Sequence, residues 1–569
     1  MMQVSAANHL ITEPLPLLDK PLNTSHWSGY IHLDGHDNNQ ERNLFYWLFA
    51  PNVHDVDDKN IPLVIWLNGG PGYSSLSGLF IENGPFRLTK NNHKWTIQDN
   101  EYSWHKAPSY LLYVDQPVGT GLSYVSNDEN DNGLCPNDEC IADDFYNFMT
   151  ELIWLHRDIL LDRQIYITGE SYAGHYIPII ADYIMKRNKE AKETVKGDSS
   201  RQNDDDDTLP PLHIPLSGIA IGNGWMDLKT QSSDSEYLAS KGLISRSMGA
   251  AYDVSIKTCI DMIDDIELDP DIKMACFRDN WDVDVFPETS IYYSDYDTRV
   301  WLHKGDKYPP GQDAVQAYLG GDDDNILGLT KEDTKNILSA IHASSFTEEV
   351  ISGKPQRYKV SAYQRVGSAM YSRNYDLISV NNEVARLLEK TKVKVFFYNG
   401  VEDAMCDHIG NERFLDSLSW KGRAEWVTAD RRAWIPEALA APYGFVKQYK
   451  QLTFVKVLGA GHMLPMDKPV AALDMIRLFT NGGEFSGPVQ PMNQMDPLEV
   501  SECTKSNNQS VISSSTNTSE ESTTINIAWA IASCVLASLG FFAGRWSRRQ
   551  ESSYGNIDVD DHELSLELS

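Results

Sequence analysis

Basic residues are scarce in this chain. Its 569 residues include 49 Lys and Arg against 81 Asp and Glu, a formal charge of −32. That balance argues against nucleic-acid partners, which call for basic patches. It suits a solvated surface in an acidic compartment, and attraction of cationic substrates follows from it only as a weak global effect. Cysteines are also few, seven in all. No second Cys or His pair stands at zinc-finger spacing, so a structural metal is not expected. The acidic runs Asp204-Asp205-Asp206-Asp207 and Asp322-Asp323-Asp324 lack the ligand order of a calcium loop and read as solvated loops. No internal repeat is visible, and nothing in the chain calls for a cofactor. Between Met1 and Pro14 there is neither a basic n-region nor an apolar h-region. A missing first segment is the expected explanation, with targeting by the membrane segment described next as the other.

Long hydrophobic runs are rare too, and one matters. Ile525 to Ala543 is almost uninterrupted. As a helix it extends about 28 Å, close to the roughly 30 Å hydrocarbon core of a bilayer. Arg545, Arg548 and Arg549 follow it, which makes that flank cytoplasmic. Trp529 and Trp546 fall near the two interfaces. The preceding Ser501 to Thr524, rich in Ser, Thr and Asn, reads as a disordered stalk. The expected plan is an N-terminal segment (1–24), a catalytic domain (25–490), a stalk (491–524), a single membrane span (525–543) and an acidic cytoplasmic tail (544–569). The catalytic domain is then lumenal, in the secretory or endomembrane system. Sequons at Asn23, Asn508 and Asn517 agree with that side of the membrane. In an oxidising lumen Cys135 with Cys140, and Cys259 with Cys276, are each expected to form a disulfide.

The chemistry concentrates around Gly169-Glu170-Ser171-Tyr172-Ala173-Gly174. An apolar run, Ile165-Tyr166-Ile167, precedes it. A helical pattern from Tyr176 to Ile184 follows. A serine between small residues at a strand-to-helix turn is the nucleophile elbow of an α/β-hydrolase. Further apolar runs at 62–67, 110–114, 393–398 and 452–457 suggest a mostly parallel central sheet covered by helices. The stretch from about 225 to 363 lacks strand alternation and reads as a largely helical cap insertion. Lys189 to Thr208 reads as a polar loop.

A serine nucleophile needs a base, and the base needs an orienting acid. On this fold the order is Ser, then Asp or Glu, then His. Asp403 follows the run at 393–398, and His462 lies in a glycine-flanked loop after the run at 452–457. Either residue alone is explained as well by turn chemistry. Three elements in order, each after a strand, favour a triad. Glu402 and His408 are local rivals for acid and base.

These motifs, with Trp66-Leu67-Asn68-Gly69-Gly70-Pro71-Gly72, Glu82-Asn83-Gly84-Pro85, Asp115-Gln116-Pro117-Val118-Gly119-Thr120-Gly121 and Gly222-Asn223-Gly224, resemble the serine carboxypeptidases. The lumenal domain, stalk, single span and acidic tail are similar to the membrane-anchored, pheromone-processing members. The resemblance implies Ser171 as nucleophile, His462 as general base and acid, and Asp403 as its orienter. It implies an oxyanion hole from the backbone N–H groups of Gly70 and Tyr172. It also implies that Asn68, the Gly69 amide, Glu82 and Glu170 bind the terminal carboxylate of a peptide or protein substrate. Two glutamates facing a carboxylate work only if the pair keeps a proton, which points to activity at acidic pH. An acyltransferase on the same scaffold and a catalytically inactive peptide-binding glycoprotein are the other readings. A preference for basic C-terminal residues is expected from the resemblance and from Glu402 and Asp407 standing near Asp403 in sequence. Two positions depart from the family pattern. Tyr73 stands where the family carries a disulfide cysteine, so that cysteine's partner should be missing or unpaired. Cys406 is expected to be a free, modulatory thiol, and Asp407 follows it where asparagine is common.

Overall fold

The computed structural model describes most of residues 5–485, and the longest internal stretches outside that description are 198–211 and 282–290. The chain divides into Met1–Val489 and Gln490–Ser569. The second unit lies outside the described residues, and with it the expected stalk, span and tail and the sequons at Asn508 and Asn517. The two Asp runs also lie outside. Among the described residues no helix is long and apolar enough to cross a membrane.

One large sheet organises the first unit. Besides the short Tyr124–Val125, which pairs with β2, its strands are β1 (His26–Asp34), β2 (Glu41–Phe49), β3 (Leu63–Leu67), β4 (Tyr110–Val114), β5 (Ile165–Ser171), β6 (Leu216–Gly224), β7 (Lys394–Gly400), β8 (Arg431–Trp434), β9 (Gly444–Tyr449) and β10 (Leu452–Val457). Their order across the sheet is β1-β2-β4-β3-β5-β6-β7-β10-β9-β8. From β4 to β10 neighbours run parallel. Antiparallel strands close both edges.

The apolar runs form the central strands because these strands are covered on both faces. Alternate residues serve opposite layers. Leu63, Ile65 and Leu67 pack with helices Asp138–Leu155, Ala173–Gly197 and Asn381–Lys390. Val64 and Trp66 pack on the other side with Pro469–Asn481. Phe397 and Phe396 divide in the same way. The helix after the elbow begins at Ala173, three residues before the apolar pattern suggested, and continues to Gly197. The reading of Lys189 to Thr208 as loop is therefore corrected over its first nine residues: Lys189 pairs with Glu193 along a solvated helix face.

Between β6 and β7 lie helices such as Arg246–Ile263, Pro270–Trp281 and Gln312–Gly320, with two antiparallel strand pairs, Ile291–Ser294 with Asp297–His303 and the short Val350–Ile351 with Lys354–Pro355. Disulfides join Cys135 to Cys140 and Cys259 to Cys276. The second fastens two helices of the insertion together.

Candidate active site

Ser171 sits where β5 turns into helix Ala173–Gly197. Its φ is 61°, a left-handed conformation that costs a residue with a side chain about 1–3 kcal/mol. The turn is crowded from behind. A Cβ on Gly69 would lie 2.4 Å from the Tyr172 nitrogen and 2.9 Å from Ser171 Cβ. Only glycine lets the 68–70 loop back onto the elbow this closely. Gly69, Gly70 and Ser171 then line one cavity of roughly 310 Å³. Backbone amides beside a nucleophile are the arrangement an oxyanion site requires.

His462 shares that cavity. Its Nδ1–H donates to Asp403 Oδ2 at 2.9 Å, and its Nε2 makes no hydrogen bond within the protein. Asp403 is fully buried. Its carboxylate also accepts from Asn223 Nδ2 at 2.7 Å and from the amides of Met405 and Cys406 at 3.0 and 3.2 Å. The buried carboxylate is thus well supplied with donors, as a buried charge must be. Asn223 holds Asp403 from the end of β6, and its Oδ1 accepts from the Gly400 amide at 3.0 Å. That service was not evident in Gly222-Asn223-Gly224, although a polar residue between glycines at a strand end is the available signal.

The rivals do not reach this geometry. Glu402 pairs with Lys241 at 2.7 Å. His408 packs edge-on against Tyr237, and burial pushes its imidazole down to about 3. Neither lines the cavity. Asp407 caps helix His408–Ser417, accepting from the Ile409 and Gly410 amides at 2.7 and 3.0 Å. The two carboxylates offered for basic-residue recognition are therefore engaged elsewhere, and that basis for the preference is withdrawn.

On the cavity floor Asn68 Nδ2 donates to Glu170 Oε1 at 3.0 Å and to Glu82 Oε1 at 3.3 Å. The amide is oriented by Trp66 Nε1 and the Gly78 amide, which donate to Asn68 Oδ1 at 2.8 and 3.1 Å. Glu82 and Glu170 are buried and stand within hydrogen-bonding reach of each other. Burial pushes Glu82 up to about 7, against the pull of hydrogen bonds from Glu170 and Asn68. Burial, then the Glu82 charge, push Glu170 well above the carboxylate range. A hydrogen bond between two carboxyls requires a proton between them.

The remaining wall is mostly aromatic and thioether, from Tyr73, Tyr296, Tyr363, Met405 and Met463, with Ser77 and Gln312 as its polar members. Glu170 is the one carboxylate among the described lining residues. Tyr73 forms a β-bridge to Ser361. On either side, the Ser74 amide donates to Val360 O at 2.9 Å and the Ala362 amide to Gly72 O at 2.8 Å. The next turn is held by Asp115, which accepts from Ser74 Oγ and the Ser75 amide at 2.7 and 2.9 Å. Cys406 is the one free cysteine among the described residues, and it is buried. Burial, then the Asp403 charge, push its thiol well above its usual range, so it is no thiolate nucleophile.

The serine carboxypeptidase family profile matches residues 16–482. The pheromone-processing carboxypeptidase KEX1 of Phytophthora infestans is 34% identical over 88% of this chain and 76% of its own. A venom serine carboxypeptidase of Apis mellifera is 32% identical over 78% of this chain and 82% of its own. The crystal structure of Kex1(delta)p, a prohormone-processing carboxypeptidase from Saccharomyces cerevisiae, shares the fold with a TM-score of 0.63 at 24% identity, covering 84% of this chain and 97% of that one. The other solved structures matched include α/β-hydrolases. With a family match over most of its length and relatives at this level of identity, the chain belongs to the serine carboxypeptidase family and is a serine-type carboxypeptidase.

Proposed function

We propose that Ser171 Oγ attacks the carbonyl of the last peptide bond of a substrate while His462 Nε2 takes its proton. Asp403 fixes the tautomer and steadies the imidazolium that forms. The amides of Gly70 and Tyr172 stabilise the tetrahedral oxyanion. His462 then passes the proton to the leaving amino acid, leaving an acyl-enzyme that water hydrolyses through the same base. The substrate's terminal carboxylate is held by Asn68, the Gly69 amide and the Glu82–Glu170 pair, which donates its retained proton at acidic pH. The leaving residue lies against Tyr73, Tyr296 and Tyr363. One observation carries this reading: His462, hydrogen-bonded to Asp403, and Glu170, paired with Glu82 behind it, line one cavity with Ser171.

A fluorophosphonate probe tests it. Wild type labels and Ser171→Ala does not, and the same variant releases no amino acid from a peptide. Equal labelling of both would end the enzyme reading at this serine. The tyrosine faces suit an alkyl side chain, and they also suit a cation lying over a ring. A series of peptides ending in Lys or Arg against Leu or Phe, at acidic and neutral pH, decides the preference. Residues 25–490 are proposed as the catalytic domain, with a 491–524 stalk, a 525–543 span and a cytoplasmic tail. The disulfides support a secretory compartment. Resistance to carbonate extraction, lost on truncation before residue 525, would identify the anchor.

A further inference from the structure

The hairpin of the insertion, Ile291–Ser294 with Asp297–His303, turns at Asp295 and Tyr296. That turn packs on the loops that carry Asp403 and His462. Asp295 O accepts from the Ala404 and Met405 amides at 2.8 and 3.0 Å, and the Thr298 amide donates to Glu402 O at 2.9 Å. The His462 amide donates to Tyr296 O at 2.7 Å. The Tyr296 ring stands edge-on to the His462 imidazole, centroids 4.7 Å apart and planes 82° apart. Approach is close enough that a Cβ on Gly461 would lie 2.3 Å from Tyr296 O and 2.9 Å from Asp297 Cβ.

Arg299 locks the same loop from outside. Its guanidinium grips the buried Asp297 carboxylate through Nε and Nη2 at 2.8 and 2.6 Å. Its Nη1 donates to Gly459 O at 2.6 Å. Nη2 also lies 3.5 Å from Asp467, whose Oδ2 accepts from the Gly461 amide at 2.6 Å. Arg299 therefore ties together the two glycines that flank Ala460, just before His462.

Asp403 fixes one nitrogen of His462 but does not fix a glycine-rich backbone. We propose that Arg299 and Tyr296 are positioning residues for His462. Arg299 holds the 459–461 backbone, and Tyr296 holds the amide and ring. Tyr296 also walls the cavity beside Ser171. The residue seated there presses on the group that holds the general base. Fit of the leaving side chain is then expressed in kcat as well as in KM. This inference rests on His462 being the base.

The test uses the full chain with Arg299→Ala, Arg299→Lys, Tyr296→Ala and Tyr296→Phe, on two peptides that differ only in a large or small C-terminal residue. A displaced base costs on the order of 10²-fold in rate. The expected result is that loss in kcat for Arg299→Ala, with KM little changed and fluorophosphonate labelling slowed in proportion. Lysine restores part of it, because it reaches one carbonyl but cannot bridge Asp297 and Gly459 together. Tyr296→Phe, which keeps the ring, loses far less than Tyr296→Ala. Tyr296→Ala also shrinks the kcat difference between the two peptides. Wild-type kcat in Arg299→Ala, or a loss confined to KM, overturns the proposal. If Arg299→Ala does not fold, Arg299→Lys and the Tyr296 pair carry the same comparison. His462→Ala separates the two readings. Full activity there sinks the base assignment, whereas an inactive His462→Ala beside a fully active Arg299→Ala sinks the positioning role alone.

Discussion

Raising the pH from 5 to 8 should loosen substrate binding through one pair of residues. Glu82 and Glu170 are buried together beneath the cavity, and burial holds Glu82 at about 7 and Glu170 well above the carboxylate range. In the proposed complex Glu82 holds a proton at acidic pH, and once it ionises its charge faces the substrate carboxylate. If binding requires that proton, with Glu82 pushed up to about 7, only about one molecule in ten still carries it at pH 8. KM then rises about tenfold over its acidic plateau, equivalent to about 1.4 kcal/mol of binding. The assay is KM for one peptide from pH 4.5 to 8.5, beside the matching peptide amide, whose neutral terminus should show no such rise. The double variant Glu82→Gln, Glu170→Gln has nothing to titrate there and should show a flat KM. Stability follows the same sign. Both carboxyls are raised on folding, so their contribution is complete below about 4.5; the share of Glu82 is lost as pH climbs through about 7, and that of Glu170 at higher pH. The double variant's melting temperature should therefore fall less than wild type's between pH 5 and 8. A wild-type KM that stayed flat from about pH 4.5 to about 8, or one that rose equally in the double variant, would refute the shared proton.

Three other outcomes follow from the site. Asp403→Asn should cut kcat by about 10⁴-fold through the wrong imidazole tautomer, whereas Glu402→Gln, which loses only a partner of Lys241, should stay near wild type; steady-state kinetics on purified variants compares them. Gly69→Ala should slow fluorophosphonate labelling sharply, because its Cβ meets the Tyr172 nitrogen at 2.4 Å; wild-type labelling would mean that this loop does not brace the elbow. Cys406, buried and neutral, should resist iodoacetamide at pH 7 until the protein unfolds. A small mercurial should still inhibit, by crowding Asp403, and Cys406→Ala should abolish that inhibition; rapid native alkylation would contradict the burial.

The central strands were legible because parallel strands covered on both faces read as plain apolar runs, as Leu63–Leu67 and Tyr110–Val114 do. β6 was not, for a physical reason. Its sequence, Leu-Ser-Gly-Ile-Ala-Ile-Gly-Asn-Gly, is diluted by glycines that its neighbours demand. A Cβ on Gly218 would meet the Tyr166 ring at 2.8 Å, and one on Gly222 would meet the Tyr398 ring at 2.2 Å. Large residues on adjacent strands occupy the space, so this closely packed strand does not read as an apolar run. The helix beyond Ile184 was hidden in the opposite way. Its Lys and Glu residues are good helix formers on a solvated face, and charge density alone does not separate that from a loop.

In the site, order along the chain was informative and adjacency was misleading. Ser171, Asp403 and His462 were legible because each follows a strand of the parallel sheet, and strand ends converge. Glu402, Asp403 and Asp407 are near neighbours in sequence, yet they serve an ion pair, the imidazole and a helix cap respectively. A tight turn sends consecutive side chains in different directions, so acidic residues beside an active residue say little about what the pocket binds. Tyr73 shows the converse. Where the family pattern has a covalent link, this chain seats the 72–74 loop on 360–362 by backbone hydrogen bonds and a β-bridge. The same position then supplies a ring to the cavity wall. Loss of the cysteine therefore removes a cross-link without removing the contact, and an aromatic surface takes its place in the cavity wall. Selectivity of this carboxypeptidase is to be sought in Tyr73, Tyr296 and Tyr363, which lie far apart in sequence and meet only in the fold.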